Sequence, residues 1–546
     1  METILTIIIT LLATTLVTCV PGAALLSVLH LDRVVPPPLM PGAALVVGLV
    51  PMGTALGLTL WWSLPIVYVV AALALVTLAC WATLAGRVRA DARRDTPRDR
   101  LRISRTRAWA TPALRMVAGD WARATPLAAW VVAVANLAIA LTVGFNTWND
   151  SLYHIGQAQK LLALDHPNFN NTLQFPDGTA HPGYVLPIWQ ELIALVAWLT
   201  RANPVTVAWI IPGVTVTIGA LSMGGLGWAL ARTPKATALV MAAWLTSVVI
   251  ATMPFSEAVF DALQPGEVAL DVIIPLVFAL LFTALWPMTD IEAGPGTLTP
   301  RQSTWAATLL MCIGVAEIAL LHVSYNMVLA LGIIGYLGFW ALRSPWPREV
   351  VWRHARVLVP IAASAAVTTA ILLPGLSKLQ SFGKTAQEEL QLNSTAMYEG
   401  KLGAPLEALL RGGADHFHLR PDYLVLGGGL ALMGLLALPL ALLAPRWPAG
   451  WYLSGSALLV LGIALSNRLF PAFVTAVSLD QARRIETVLP LSAGLALGAA
   501  ATGIIGTRLW ARGTIAARTL AAFIIAAVAA AAAHAADTVG QLGGYG

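Results

Sequence analysis

The sequence predicts an all-α, polytopic membrane protein with about 14 spanning helices. The chain has 546 residues, of which 58% are hydrophobic and only 11% charged. A soluble chain of this length needs far more charged surface. The apolar residues recur in stretches of roughly 18–25, the length that crosses the hydrocarbon core of a bilayer. Inside lipid the backbone must satisfy its own hydrogen bonds, so each stretch is expected as a helix. The alternation of polar and apolar residues that marks a membrane β-barrel is absent.

Taken in order, apolar segments near 3–29, 41–61 and 64–85 make an N-terminal three-helix unit, 1–86. The first segment has neither a basic leader nor a small-residue cleavage site, so it is expected as a retained helix. A basic linker, 87–125, follows; it is rich in Arg and Asp and contains Pro97 and Pro112. It reads as solvated chain that touches anionic lipid. The core, 126–373, holds spans near 126–144, 205–231, 236–254, 267–286, 305–322, 325–342 and 357–373, with a first outer loop at 145–204. A large outer loop, 374–421, leads to C-terminal helices within 422–546, near 422–444, 451–467, 486–507 and 515–535. The Ala-rich stretch 519–536 suggests no chemistry. No internal repeat of the transporter kind is visible.

Orientation follows from the basic residues. Arg33, the run from Arg87 to Arg123, Arg232, Lys235, Arg343 to Arg356, Arg446 and Arg508 to Arg518 fall on alternate loops. That side is expected to be cytoplasmic. The localisation expected is therefore the cytoplasmic (plasma) membrane, multi-pass, with loops 145–204 and 374–421 extracytoplasmic. The formal charge of +6 resides in loops on one side, so no nucleic-acid partner is indicated. Cys19, Cys80 and Cys312 each lie in an apolar stretch without metal or redox spacing, which makes them small core residues.

The chemistry is expected in the first outer loop. The fourth span ends at Gly144, and Phe145-Asn-Thr-Trp-Asn-Asp150-Ser-Leu-Tyr-His154 follows. From Asp150 the pattern is an amphipathic helix whose Leu152, Ile155, Leu161 and Leu162 are expected to lie on the membrane. Asn149 or Asp150 is placed to cap it. Asp150, Tyr153 and His154 stand at i, i+3 and i+4 and share a face. Asp150 therefore has two readings, a helix cap and a general base that takes a proton from an acceptor hydroxyl. The two roles are compatible.

An Asp just after a span, followed by Tyr-His on a juxtamembrane helix, resembles the first outer loop of the GT-C glycosyltransferase superfamily, in particular an actinobacterial branch. Three further segments extend the likeness: His181-Pro-Gly-Tyr184 opening the apolar stretch 184–199, Pro21-Gly-Ala-Ala-Leu-Leu in the first helix, and Asp480-Gln-Ala-Arg-Arg484-Ile leading into Leu489-Pro490. The resemblance implies a GT-C-like fold with outer juxtamembrane helices and an outward-facing site. It further implies a polyprenyl-phosphate sugar donor, an envelope glycan or glycolipid acceptor, and Asp150 as the catalytic base. Mannose and arabinose are the sugars the likeness suggests. No second Asp stands directly beside Asp150, so a divalent metal pair is not supported there and no cofactor is assigned.

Further substrate-binding candidates are polar residues on the same expected side. Glu257 and Asp261 share a face of a short loop if it is helical; otherwise they are a solvated turn. His322 ends a span and could bond a donor phosphate or serve structure alone. Arg483 and Arg484 precede a span, where guanidinium groups grip a phosphate or a lipid headgroup. Arg468 is a weaker version of the same idea. Asp271 and Glu317 fall within spans, where acids point to function by default. His416 and His418 suit a metal only in an extended loop. Tyr153, His154 and His181 would shape the donor pocket. Two other classes stay open: a transporter or flippase of lipid-linked sugars, and a noncatalytic envelope assembly protein.

Overall fold

The computed structural model describes residues 2–94, 150–173, 186–231, 265–285, 299–323, 325–343 and 347–397, with scattered helical residues in 130–141 and 452–473. The spans expected at 236–254, 422–444, 486–507 and 515–535, and the linker beyond residue 94, lie outside them. Among the described residues all regular structure is helical and no strand occurs. Seven helices there are long and apolar enough to cross a bilayer.

Helix α1 (Glu2–Val28) turns through two short 3₁₀ segments, Leu31–Val34 and Pro37–Leu39, into α2 (Met40–Trp61), and α3 (Val67–Arg94) follows. Apolar side chains at nearly every position make α1, α2 and α3 as far as Gly86 hydrophobic all round, as buried or lipid-bathed helices are. Several of their hydroxyls are met locally: Thr14 Oγ1 donates to the Thr10 carbonyl and Thr18 Oγ1 to that of Thr14. Pro21 and Pro51 lie inside α1 and α2, a use of proline that neighbouring helices make tolerable in membranes. The crossing of α1 and α2 depends on two glycines. A Cβ at Gly22 would meet the Ala44 carbonyl, and one at Gly48 the Thr18 carbonyl. Small residues of this kind let backbones approach where no hydrophobic force drives helices together in lipid.

Next come α4 (Asp150–Ala163), the short α5 (Phe169–Leu173), α6 (Ile188–Thr200) and α7 (Pro204–Ala231). Helix α7 runs antiparallel to α2, because Gly42 lies near Ser222 and Gly225 against Leu39. Equal lengths of helix then bring Trp61 and Pro204 to the same end. Trp61, Trp62, Tyr68, Trp198 and Trp209 are exposed around that end, as in the aromatic belt of a membrane interface.

The last described group is α8 (Pro265–Val268), a π-turn at Ala269–Ile273, α9 (Ile274–Leu285), α10 (Pro300–His322), α11 (Tyr325–Arg343) and α12 (Arg348–Met397). Thr299 starts α10 with a capping box: the Gln302 N–H donates to Thr299 Oγ1 at 3.3 Å and the Thr299 N–H to Gln302 Oε1 at 2.9 Å. Helix α12 is held to α11 by His354, whose Nδ1–H donates to the Val350 carbonyl at 2.8 Å. That leaves Nε2 to accept from the Tyr336 hydroxyl at 3.1 Å. The expected span 357–373 is the middle of a 50-residue helix. Residues 374–397, read from sequence as loop, continue that helix beyond its apolar part, which ends at Leu372.

Candidate functional site

The candidate site is built on α4 and α6, two short helices that pack on each other. Helix α4 carries the helical spacing that the sequence pattern predicts from Asp150 onward and contains no proline; Pro167 follows its end. His154, Ile155, Gln157, Ala158 and Leu161 are buried, while Leu152 is exposed. The spacing i, i+3, i+4, i+7 from His154 makes one inward stripe.

The expected membrane contact of this helix needs correction. Leu152 is open, but Ile155 and Leu161 belong to the protein core, and Leu162 is half-buried against it. The face shared by Tyr153 and His154 turns into the bundle rather than out to water. The reason is a partner the loop pattern does not name: α6 supplies a surface for that stripe.

Helix α6 starts deep. Leu186 and Ile188 lie beside Gly53 of α2, eight residues before Trp61, or roughly 12 Å along the helix. Its other end reaches Trp198, Leu199 and Pro204 at the aromatic rim. So α6 rises from within the bundle to its edge instead of lying flat on it. Helix α4 follows the same course. After it ends, His166 Nδ1 donates to the Ser63 carbonyl, 3.1 Å away in the α2–α3 turn. Asn168 and Asn171 then exchange backbone and side-chain hydrogen bonds at 2.7 and 2.9 Å, and Asn171 Nδ2 donates to the His166 carbonyl. This knot fixes the turn into α5.

One polar bond joins the two helices. Gln190 Nε2 lies 2.6 Å from His154 Nδ1, and both residues are buried. An amide nitrogen only donates, so Nδ1 accepts and the ring proton resides on Nε2. Tyr153 meets His154 edge-on, with ring centroids 5.6 Å apart. Beside Gln190, Glu191 is fully buried and neither carboxylate oxygen has a hydrogen-bond partner. Burial alone pushes its carboxyl well above the ordinary carboxylate range, because desolvation disfavours the charged form. Gln157, one turn after His154, is buried with Oε1 unpartnered.

Of the residues expected from sequence, Tyr153 and His154 therefore belong to this seam, and the backbone of Asp150 lies on the same helix one turn earlier. The Asp150 side chain, His181, Glu257, Asp261, Arg468, Arg483 and Arg484 lie outside the described residues, as do His416 and His418. His322 ends α10 and packs edge-on against Tyr325, with centroids 5.3 Å apart; the Tyr325 ring in turn lies beside Gly266. Asp271 occupies the π-turn, where a Cβ at Gly219 would stand 3.1 Å from its own Cβ. Glu317 is buried, with Oε2 unpartnered. Among the described residues no group of three or more His, Cys, Asp or Glu could hold a metal.

Sequence reasoning missed Gln157, Gln190 and Glu191. The signal available was the Gln190-Glu191 pair inside the apolar stretch 184–199, an expensive place for polar groups. Set against known protein families, characterised proteins and solved structures, the chain matches none of them.

Proposed function

We propose that this chain is a membrane glycosyltransferase of the GT-C type, with about 14 spans and its site on the extracytoplasmic face. The observation that carries the reading is that the helix Asp150–Ala163 turns its Tyr153-His154 side into a buried polar seam with α6. Such a seam is a place where a lipid-borne head group can leave water without losing every hydrogen bond.

The reaction follows from the residue types. The donor is a sugar on polyprenyl phosphate, and the acceptor a hydroxyl of an envelope glycan or glycolipid. The Asp150 carboxylate takes the proton of that hydroxyl as its oxygen bonds to the anomeric carbon. The bond from that carbon to phosphate oxygen breaks, and polyprenyl phosphate leaves with the electron pair, inverting the anomeric centre. Tyr153, His154 and His181 shape the donor pocket. Arg484, with Arg483, offers the paired donors that offset charge on the departing phosphate. Glu257, Asp261 and His322 are assigned to substrate contacts. Mannose and arabinose donors are the first to assay.

The test is Asp150→Asn, nearly the same shape but unable to accept the proton. Transfer from a synthetic polyprenyl-phosphate sugar should be lost while expression and unfolding stay normal. Undiminished transfer by the variant would remove Asp150 as the base.

One observation favours a second reading, a transporter or flippase of lipid-linked sugars. Asp271 is carried on a π-turn against Gly219, and π-turns within helices cluster at functional sites. Flux of lipid-linked sugar across proteoliposomes, with no new glycosidic bond, would select that reading.

A further inference from the structure

Helices α10 and α12 begin at the same end of the bundle. Gly266 of α8 lies against Tyr325, just past the end of α10, and Gly314 of α10 lies against Ile273 and Val277. Helix α10 therefore runs antiparallel to α9 and begins near Leu285, where α9 ends. Arg353 of α12 meets that same end: its Nη1 donates to the Leu285 carbonyl at 3.5 Å. Further along, Ser364 Oγ donates to the Cys312 carbonyl at 2.9 Å. Arg301 and Arg353 each stand eleven residues before that bond in their own helix. The two arginines are therefore level, roughly 16 Å from it along the helices.

The packed side of this pair fixes its open side. On α10, Gly314 faces α9, and Trp305, nine residues earlier, points about 180° away from it. On α12, His354 faces Tyr336 and Trp340 of α11, and Arg356, two residues on, lies about 200° around the helix. Arg301, Trp305 and Leu309 of α10 are exposed, as are Arg353, Arg356 and Val367 of α12. They border one groove along the α10–α12 contact, on the side away from α9 and α11.

The groove is basic at its mouth and apolar along its length. The apolar spans of the two helices begin at Arg301 and Arg348. The arginines thus stand at head-group depth, and Trp305, Leu309 and Val367 at acyl depth. In the first turns of the two helices four exposed arginines, Arg301, Arg348, Arg353 and Arg356, outnumber one exposed acid, Glu349. Both helices also turn the positive ends of their dipoles this way, which favours negative charge. Guanidinium groups grip phosphate oxygens through paired hydrogen bonds. Basic pockets between spanning helices suit acidic lipids. A soluble anion would leave the apolar groove uncovered, and a zwitterionic lipid would bring its own cation among the arginines.

We propose that the α10–α12 groove binds an anionic glycerophospholipid, with its phosphate under Arg301, Arg353 and Arg356 and one acyl chain along Trp305, Leu309 and Val367. The site rests on neither the transferase nor the transporter reading.

The experiment releases the full chain intact from detergent into a mass spectrometer and titrates it with phosphatidylglycerol or phosphatidylcholine of matched chains. The first phosphatidylglycerol should bind more tightly than phosphatidylcholine. Arg301→Gln and Arg356→Gln should each weaken it about fivefold, the ~1 kcal/mol that one basic side chain contributes near an anionic lipid surface. Phosphatidylcholine binding should not change. Arg353 is kept, because it also ties α12 to α9. Arg201→Gln removes the same charge from an exposed position at the aromatic rim, and should leave binding as it was. Glycerol phosphate, a head group without chains, should not displace the lipid. In phosphatidylcholine nanodiscs both groove variants should unfold at the wild-type temperature. Added phosphatidylglycerol should raise that temperature more for the wild type than for either variant.

The site is overturned if the two lipids bind alike or if either groove variant keeps the full preference. It is equally overturned if Arg201→Gln weakens phosphatidylglycerol as much, the mark of a diffuse surface attraction. Competition by glycerol phosphate would replace the lipid with a free anion and sink the proposal. Earlier unfolding of the groove variants in phosphatidylcholine alone would do the same, since the arginines would then serve the fold.

Discussion

The His154–Gln190 bond can be weighed by a double-mutant cycle. Both residues are almost wholly buried, at 0% and 1% exposure, and their polar atoms meet at 2.6 Å. Replacing Gln190 with Leu keeps the volume close but leaves His154 Nδ1 inside the protein without this donor. Stranding a buried polar group costs about 1–3 kcal/mol. His154→Phe strands the Gln190 amide in the same way. Replacing both removes the bond and both stranded groups together, so the double variant should be less damaged than the sum of the two. The coupling between polar side chains of membrane helices averages about 0.6 and reaches about 1.7 kcal/mol. Full burial and a short contact put this pair near the upper value, about 1–1.5 kcal/mol. The measurement is the unfolding free energy of the four proteins by SDS titration in mixed micelles. Additive effects, within about 0.3–0.5 kcal/mol, would show that the two helices are not coupled through this bond, and the seam would lose its geometric basis.

Gly48→Ala places a methyl group on the Thr18 carbonyl, and no rotamer relieves a Cβ; the helices must part. Overpacking of this sort costs about 1–3 kcal/mol, readable in the same titration, and a wild-type midpoint would refute the close crossing of α1 and α2. For Glu191 the sign is set by its direction of shift: above its ordinary 4.5 and below its raised value, the folded chain holds a proton that the unfolded chain has released. Stability should therefore be fully present below pH 4.5 and decline as pH rises from there toward the folded value. Glu191→Gln removes that decline, and parallel pH profiles for the two proteins would contradict the buried, unpaired placement.

Much of the architecture is legible in the chain alone, because the bilayer sets a length. The expected spans 3–29, 41–61, 205–231, 305–322 and 325–342 meet helices Glu2–Val28, Met40–Trp61, Pro204–Ala231, Pro300–His322 and Tyr325–Arg343. Apolar length and the position of breakers are local properties, and sequence carries them directly. The helix over Asp150–Ala163 is of the same kind: its polar and apolar residues fall at helical spacing. Breakers do not always mark a boundary. The span expected to end at residue 373 meets Pro374-Gly375, yet α12 continues through them to Met397, past the point where hydropathy falls.

What α4 and α6 do in the fold could not be read that way. Hydropathy counts Ile155 and Leu161 as apolar whether they meet lipid or protein, so periodicity leaves their neighbour unnamed. The contact of Ile188 with Gly53 sets α6 upright in the bundle, and with it the bond from Gln190 to a histidine 36 residues away. Sequence determined which segments are helices and which residues could carry chemistry, because both depend on neighbours along the chain. Only the tertiary structure decided that His154 and Gln190 meet in one buried seam and that Gln157 and Glu191, within a turn of them along their helices, are buried too, because burial belongs to the packing of helices and to no one of them alone.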